Sequence, residues 1–354
     1  MINQYGWSDA LGQLFAPHAA LGLVPGRVVV QQRGHYGLIT PSGEASAVIS
    51  GRLAHEAEDG GYPVAGDWVA CALSDNGAAV IHAVLPRRTA FSRKAAGLGQ
   101  VTQMVAANVD VALLVAALNA DFNPRRMERY LAVAWQSGAK PLIVLTKADL
   151  RADAEAVAEA TREVAIGVEV LAVSAATGEG LEALAERLVS GETAVLVGSS
   201  GAGKSTLVNA LAGKMVMDTG GIRLSDDRGR HTTTHRELVL LPGGALILDT
   251  PGMRELGLID ADEGLATAFE DIDALAQQCR FHDCGHTNEP GCAITAALEA
   301  GTLDAGRWSS YGKLQREAAF VDRKEDRVAR QAERQKWVQI SKAQRADRKR
   351  REKW

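Results

Sequence analysis

The sequence predicts a multidomain α/β protein with three parts: a small β-barrel, a mostly parallel sheet with helices on both faces, and a helical C-terminal region. Short apolar runs separated by turn residues fill positions 22–92, and apolar strands alternate with helical patterns from 109 to 248. Further helical patterns, over 265–278, over 294–300 and from about 311 onward, surround a cluster of cysteines and histidines downstream. We place the domains at 1–92, with a short N-terminal extension, at 93–262 and at 263–354.

The first domain contains five short apolar runs, which is the strand count of an OB-fold barrel. The runs cover residues 27–30, 36–39, 47–49, 67–73 and 79–84. OB-fold surfaces often bind oligonucleotides, although a generic small β-domain would give the same pattern. Residues 86–104 are basic, end in glycines and are expected to form a linker.

The middle domain alternates predicted strands with predicted helices, which is typical of a parallel sheet covered on both faces. The predicted strands are 109–117, 140–146, 168–173 and 193–197, followed by a hairpin of 238–241 and 245–248. The predicted helices are 125–137, 152–165, 180–189 and the segment from 207 to 212. Ligands of such sheets bind at the carboxyl ends of the strands, so we expect the functional residues there.

A glycine-rich turn between a predicted strand and a predicted helix indicates a nucleotide-binding P-loop. The glycines let the backbone wrap a phosphate, and the N–H groups and dipole of the following helix attract its charge. Lys204 is expected to reach the β- and γ-phosphates, and the hydroxyl of Ser205 to bind Mg²⁺. The turn consists of Gly198, Ser199, Ser200, Gly201, Ala202, Gly203, Lys204, Ser205 and Thr206.

Two motifs that follow neighbouring strands predict a guanine site. The carboxylate of Asp149 can accept hydrogen bonds from N1–H and the 2-amino group of guanine, a pattern that adenine lacks. The stem of Lys147 can pack over the ring, and a backbone N–H of the second motif can bind guanine O6. The first motif is Thr146, Lys147, Ala148 and Asp149, and the second begins with Ser174 and Ala175.

Two segments around the hairpin are candidate switches. Asp249 and Gly252 belong to an Asp-Thr-Pro-Gly segment, in which the Asp holds Mg²⁺ through water and the Gly N–H contacts the γ-phosphate. Residues 213–235 contain consecutive threonines, of which we favour Thr233 as a Mg²⁺ ligand in the GTP state. Thr232 and Thr234 are alternatives, and an ordinary Thr-rich loop would also account for the segment.

Three of the four cysteines lie close together in a pattern typical of a metal site. Cys279, Cys284 and Cys292, with His286 or the competing His282, offer four ligands within a short segment. Three thiolates and an imidazole fit tetrahedral Zn²⁺ and leave no open position for water, so we expect a structural site. Free thiols beside histidines are the alternative.

The motif order is unusual, because Ras-type GTPases place the base motifs after the P-loop. A circular permutation explains the order, since chain ends commonly lie close together. The base motif, Ser-Ala, P-loop, His-Thr-Thr, Asp-Thr-Pro-Gly and the Cys/His cluster together resemble the RsgA (YjeQ) family of bacterial GTPases that depend on the small ribosomal subunit. The resemblance spans essentially the whole chain. It implies an N-terminal OB-fold, a circularly permuted P-loop GTPase domain and a C-terminal zinc-binding domain, with His286 as the fourth zinc ligand.

Two residues bear on catalysis. Met253 follows Gly252 where Ras-like enzymes place a water-orienting Gln, so we expect slow unaided hydrolysis and a partner that completes the site. In the family a switch histidine is a candidate substitute, and His231 holds that place, although a histidine that contacts phosphate or the ribosome is an equal alternative. Thr146 stands where many GTPases have Asn, so we expect weaker tethering of the P-loop to the base site.

The charge distribution suggests a partner. Residues 322–354 carry thirteen Lys/Arg and six Asp/Glu, whereas residues 1–321 carry 26 basic and 37 acidic residues. Such a basic tail, with Trp337 and Trp354, is compatible with rRNA binding or with a solvated helix of internal ion pairs. No apolar run approaches the ~18 residues of a membrane span, and the N-terminus lacks a basic segment, so we expect a cytoplasmic protein.

The resemblance implies a GTPase that binds the 30S subunit and its 16S rRNA, assists late maturation and releases an assembly factor. We expect slow GTP hydrolysis that the subunit stimulates, with Mg²⁺ bound alongside GTP, one structural Zn²⁺, and a monomeric protein. A GTP-driven metallochaperone is one rival, and metal exchange on the GTP cycle would favour it. A P-loop kinase or ATPase is another, and equal binding of ATP and GTP would favour it.

Overall fold

The computed structural model describes residues 1–32, 34–57, 61–74, 77–94, 102–119, 122–217, 236–249, 262–287 and 289–320. The strands are β1 (Val24–Gln32), β2 (His35–Thr40), β3 (Gly43–Ile49), β4 (Trp68–Leu73), β5 (Ala78–Val84), β6 (Ala90–Lys94), β7 (Thr102–Ala107), β8 (Val111–Ala117), β9 (Lys140–Thr146), β10 (Val170–Ala172), β11 (Thr193–Val197), β12 (Arg236–Leu240) and β13 (Leu246–Asp249). The helices are α1 (Asp9–Ala19), α2 (Gly51–Glu56), α3 (Pro124–Ser137), α4 (Ala154–Val164), α5 (Leu181–Glu186), α6 (Lys204–Ala212), α7 (Asp262–Ala268), α8 (Glu270–Ala276) and α9 (Ala293–Glu299). Residues 305–320 are also helical.

The first five strands form an OB-like barrel. Their order is β1-β2-β3-β5-β4, and β4 pairs back to β1, so the sheet closes on itself. All pairings are antiparallel except β3–β5. Alternate side chains point inward and form a buried core that includes Val28, Leu38, Val69 and Ile81. The predicted fold class of this domain is confirmed.

The middle domain has a second sheet, parallel except for β12, and it is continuous with the barrel because β12 pairs with β1. Strands β10, β9, β8, β11 and β13 lie side by side in parallel, and β12 pairs antiparallel with β13. From β8 the chain steps outward through β9 and β10, then returns to the opposite side of β8 for β11. The carboxyl ends of β8 and β11 therefore meet at a topological switch point, where sheets of this kind bind ligands.

Helices cover both faces of this sheet, as the sequence predicts. Neighbouring residues of β8 point to opposite sides, because successive side chains in a strand alternate. Leu114 packs in the core that contains α3, α4 and the C-terminal helices, whereas Leu113 packs against α5 and α6. Helix α3 begins at a proline after Asn123, whose side chain accepts a 2.9 Å hydrogen bond from the N–H of Arg125, and ends at Gly138 (φ +81°).

Two expectations about secondary structure were wrong. Residues 86–104, expected to form a linker, contain β6 and the start of β7, which pair as a hairpin. Charged positions lie between the buried residues Phe91 and Val105, so the sequence shows no clear apolar strand pattern there. The helix expected over 265–278 is two helices, α7 and α8, which break at Phe269. Its ring is fully buried beneath the guanidinium of Arg307, at 4.7 Å from the ring centroid.

The C-terminal helices pack against the sheet domain through α3. A Cβ on Gly264 of α7 would lie 2.2 Å from the carbonyl oxygen of Ala132 in α3, so only glycine fits there. Charged contacts continue this interface, including hydrogen bonds from Arg307 to Glu128 and to Asp271. Within the described part of the chain, no helix is both long and apolar enough to span a bilayer.

Candidate nucleotide site and metal centre

The P-loop connects β11 to α6. Every residue of β11 is buried, and Gly198 follows directly, where a Cβ would lie 2.3 Å from the carbonyl oxygen of Val115. Gly201 and Gly203 have φ angles of +77° and +83°, which residues other than glycine rarely adopt. The Lys204 ammonium donates to the carbonyl oxygens of Gly198 and Ser199 at 2.8 and 2.6 Å. The side chain of Lys204 therefore lies over the loop that the sequence assigns to phosphate binding.

The base motif lies beside this loop and is bonded to it. The Thr146 hydroxyl donates to the carbonyl oxygen of Ala202 at 2.6 Å, while its separation from the carbonyl oxygen of Ala116 is 3.3 Å. The Lys147 ammonium donates to the carbonyl oxygen of Gly201 at 2.9 Å. The Thr146 hydroxyl therefore does reach the P-loop, and the expectation that this tether is weaker than one from Asn stays a prediction.

The carboxylate of Asp149 is positioned by the next strand. The buried Ser174 hydroxyl donates to Asp149 Oδ1 at 2.5 Å, and Ser174 Oγ accepts hydrogen bonds from the N–H groups of Ala176 and Thr177 at 3.3 and 3.2 Å. The Ala148 N–H donates to the Val173 carbonyl oxygen at 3.1 Å, which joins the two motifs. Asp149, Ser174 and the P-loop thus lie along one edge of the sheet.

Asp249 ends β13, next to the strand that carries the P-loop. Leu248 pairs with Val195 across the parallel ladder, so Asp249 and Gly198 both lie at the carboxyl-end edge of the sheet. Serine hydroxyl and carboxylate oxygens are hard ligands of the kind that Mg²⁺ prefers, and Ser205 lies in the first turn of α6. His231, Thr232, Thr233, Thr234, Gly252, Met253, Trp337 and Trp354 lie outside the described residues.

Cys279, Cys284, His286 and Cys292 converge, with one ligand atom from each lying within 4.8 Å of all the others. His286 Nδ1 lies 3.5 Å from Cys279 Sγ and 3.6 Å from Cys292 Sγ, and these two sulfurs are 4.0 Å apart. Tetrahedral zinc, with bonds of about 2.3 Å to sulfur and about 2.0 Å to nitrogen, needs edges of about 3.5 to 3.8 Å. The donor set and its spacing fit a closed tetrahedral metal site, and the competing His282 is not part of it.

Hydrogen bonds hold the metal loop in place. His286 adopts φ +56°, an uncommon conformation for a residue other than glycine. The Glu289 carboxylate accepts the N–H groups of Gly285 and Thr287 at 3.0 and 2.8 Å, which fixes the backbone on both sides of His286. The His286 ring contacts Trp308 edge-on at 5.8 Å, which connects the cluster to the helical segment 305–320.

Comparisons with known proteins agree with this geometry. Residues 84–259 match the family model described as RsgA GTPase. A small ribosomal subunit biogenesis GTPase RsgA of Opitutus terrae is 49% identical over 98% of this chain and 97% of its own length. A protein of the same name from Streptomyces coelicolor is 48% identical over 93% of this chain and 90% of its own length.

The chain belongs to the RsgA GTPase family. Its activity is therefore GTP hydrolysis, and the kinase or ATPase alternative was wrong. YjeQ from Thermotoga maritima has a similar structure, with a TM-score of 0.63 and 26% identity over 82% of this chain and 97% of YjeQ. YloQ, described as a circularly permuted GTPase, shares the fold at a TM-score of 0.57 and 24% identity, over 86% of this chain and 96% of YloQ. The predicted permuted fold is thus confirmed.

Sequence reasoning missed three contributors to these RsgA-family sites. It assigned the Ser174 motif a backbone role and overlooked the bond from its hydroxyl to Asp149. It also overlooked Glu289 and Trp308, which support the metal loop. The sequence did offer a signal for Glu289, which is a carboxylate three residues after a ligating histidine in a loop with glycines. It offered no signal for Trp308, which is distant in sequence.

Proposed function

We propose that this protein is a GTP-regulated factor that binds the 30S ribosomal subunit and assists its late maturation. The observation that supports the GTP-dependent part is the pair of hydrogen bonds from Thr146 and Lys147 to the P-loop, because these bonds join the proposed guanine motif to the proposed phosphate loop. The relatives named small ribosomal subunit biogenesis GTPases support the choice of partner.

In this proposal the nucleotide lies across the carboxyl ends of β9, β10 and β11. The backbone N–H groups of residues 198–206 bind the phosphates, together with Lys204. The Asp149 carboxylate, oriented by Ser174, accepts guanine N1–H and the 2-amino group, and Ala175 offers its backbone N–H to guanine O6. Ser205, Asp249 and Thr233 are the proposed Mg²⁺ residues, and the ion neutralises the charge that develops on the phosphates.

Hydrolysis is proposed to be slow without the ribosomal subunit. Met253 cannot hydrogen-bond an attacking water, so the chain alone lacks the usual water-orienting group. His231 is the proposed substitute, and Gly252 is proposed to contact the γ-phosphate through its N–H. Binding of the 30S subunit completes the arrangement, and the GDP form then dissociates.

The cysteine–histidine cluster is proposed to hold one structural Zn²⁺. The four donors leave no ligand position open, and the surrounding hydrogen bonds fix the loop. A metallochaperone would need a site that exchanges its metal, and nothing in this closed cluster favours that role.

The docking partners are proposed to be 16S rRNA and, at release, a second assembly factor. The barrel, the metal domain and the basic residues 322–354 are the proposed contacts. We propose that the protein acts in the cytoplasm as a monomer. The domain boundaries at 1–92, 93–262 and 263–354 stay a prediction.

The decisive experiment measures GTP turnover with purified 30S subunits, with 50S subunits as the control. We expect acceleration by 30S subunits alone. A rate that 30S subunits leave unchanged would remove the ribosomal part of the proposal, while the GTPase would stand.

A further inference from the structure

Strand β1 belongs to both the barrel and the GTPase sheet. Its first part, from Val24 to Arg27, pairs with β4 and closes the barrel. Its last part pairs with β12 instead, through Val30 opposite Glu237 and Gln31 opposite Arg236. A bulge between Val28 and Val30 separates the two parts. Bulges bend a strand, so this one lets β1 part from β4 and pair with β12 while it stays paired with β2 of the barrel.

The partner of β1 in the second sheet is the strand between the two candidate switches. Strand β12 follows residues 213–235 and pairs antiparallel with β13, which ends at Asp249. A shift of β12 therefore moves the two-residue ladder that joins it to β1. Because strand registers are discrete, such a ladder either follows the shift or breaks.

Arg27 attaches the same strand to a different element. The residue is 2% exposed, and its Nη2 donates to Thr193 Oγ1 at 2.9 Å and to the Asn108 carbonyl oxygen at 3.3 Å. Its guanidinium carbon lies 4.7 Å from the centroid of the Trp68 ring. Thr193 is the first residue of β11, the strand that ends at the P-loop. Arg27 thus joins the barrel to the base of the P-loop strand.

The point that Arg27 contacts is itself held in place. The Thr193 N–H donates to Asp110 Oδ2 at 2.8 Å, and Asp110 Oδ1 accepts from Arg88 at 2.8 Å. Burial of a guanidinium is costly, and among the described residues Arg27 Nε has no hydrogen-bond partner. Desolvation lowers the pKa of Arg27 to about 10. A hydrophobic residue would avoid this cost. We therefore infer that Arg27 serves to position β1 relative to β11, and not only to stabilise the fold.

We propose that β1 couples barrel docking to the switch strand β12, and that Arg27 is the positioning residue that holds β1 against β11. With Arg27 in place, tilting of the barrel moves the Val30–Gln31 end of β1 relative to the P-loop strand and displaces β12. Without it, β1 has no fixed point on β11, so the same tilt of the barrel displaces β12 less relative to the P-loop strand. The effect on stimulated hydrolysis rests on the proposed function; the link between nucleotide and barrel does not.

The test uses the full chain with two substitutions at the contact and one control. Arg27→Met keeps an unbranched apolar side chain, although a shorter one, and removes the guanidinium with both hydrogen bonds. Thr193→Val is nearly isosteric and removes only the hydroxyl that accepts the bond from Arg27. If Arg27→Met does not fold, Thr193→Val alone tests whether this bond is needed for coupling. Arg52→Met is the control, since Arg52 pairs with Glu56 on the barrel surface and its side chain is 82% exposed.

The first measurement is turnover with and without 30S subunits. We expect basal turnover and 30S binding to stay at wild-type values, and stimulated turnover to fall about fivefold or more in both contact variants, the low end of allosteric coupling. The double variant should be no worse than either single one, because all three lack the same bond. Equal losses in basal and stimulated rates, or full stimulation in both variants, would overturn the proposal.

The second measurement needs no ribosome. Hydrogen exchange of amides 28–32 should be slower with a non-hydrolysable GTP analogue than with GDP in wild type, and nearly equal in the contact variants. Identical exchange in both nucleotide states of the wild-type protein would refute the coupling. If 30S subunits do not stimulate wild type, the proposed function fails while this measurement still decides the role of β1.

Discussion

The hydroxyl of Thr146 donates a 2.6 Å hydrogen bond to the carbonyl oxygen of Ala202 and so joins the end of β9 to the P-loop. Both atoms are in buried surroundings, where a lost partner leaves a polar group without compensation. The bond holds two parts of the proposed nucleotide site together, although they are 56 residues apart in sequence.

Thr146→Val should weaken nucleotide binding, because it removes this bond at nearly constant volume. A net hydrogen bond is worth about 0.5–1.5 kcal/mol, so the Kd for GTP and for GDP should rise about 2- to 10-fold. Equilibrium titration with fluorescent nucleotides measures the change. Thr161→Val is a matched control, since that buried hydroxyl donates within α4, to the Val157 carbonyl oxygen at 2.7 Å. An unchanged Kd in Thr146→Val would show that the tether does not contribute.

Asp149→Asn should reduce the preference for GTP over ATP without abolishing phosphate binding. The substitution replaces an acceptor of two guanine hydrogen bonds by an amide, and a bidentate pair discriminates bases by about 1–3 kcal/mol. Competition between GTP and ATP measures the ratio, which should fall about 5- to 100-fold. Asp153→Asn, at an exposed carboxylate paired with Arg151, is the control. A preserved preference for GTP would contradict the base assignment.

Cys284→Ser should release the metal and unfold the C-terminal helices around it. Structural zinc contributes about 10–16 kcal/mol, against a typical domain stability of about 5–15 kcal/mol. Metal analysis and limited proteolysis check the two effects together. Cys71→Ala is the control, because that cysteine lies in the barrel core, away from the cluster. A Cys284→Ser protein that retains both zinc and a protected C-terminal region would refute a structural metal.

Arg307→Ala should destabilise the contact between α3 and the C-terminal helices. Arg307 is 4% exposed and Glu128 is 1% exposed, so the substitution leaves the carboxylate in a buried site with one charged partner fewer. Removing one partner of a buried pair costs about 3–5 kcal/mol, whereas a surface pair is worth about 0–1 kcal/mol. Chemical denaturation measures both Arg307→Ala and the exposed-pair control Arg162→Ala. Equal losses in the free energy of unfolding would show that the buried pair contributes no more to stability than the exposed one.

The sequence predicted the elements that carry motifs, because their signals are local. The P-loop strand, its glycines and the spacing of the metal ligands are all readable within a few residues, and the predicted family was correct. The side-chain partners were not predictable in this way. Thr146 reaches Ala202, and Ser174 reaches Asp149, only after strands distant in sequence have been placed side by side.

The double role of β1 was hidden for the same reason. No local pattern indicates that Val30 will pair with Glu237, since the two residues belong to different predicted domains. The break at Phe269 was equally unpredictable, because a buried ring beneath Arg307, rather than a glycine or proline, separates α7 from α8. Tertiary packing overrides the helical pattern there.

The shared strand also limits how this protein can be divided. In a shortened chain that begins at residue 93, Arg236 and Glu237 would lose their pairing with β1, and β12, with its apolar residues Leu238, Val239 and Leu240, would become the edge strand of the sheet. Apolar strand edges without a partner promote association with other chains. Light scattering should therefore detect aggregates of the isolated GTPase domain, and a monodisperse sample would contradict this. Solubility is therefore a sufficient reason to keep the barrel when the turnover of the GTPase domain is measured.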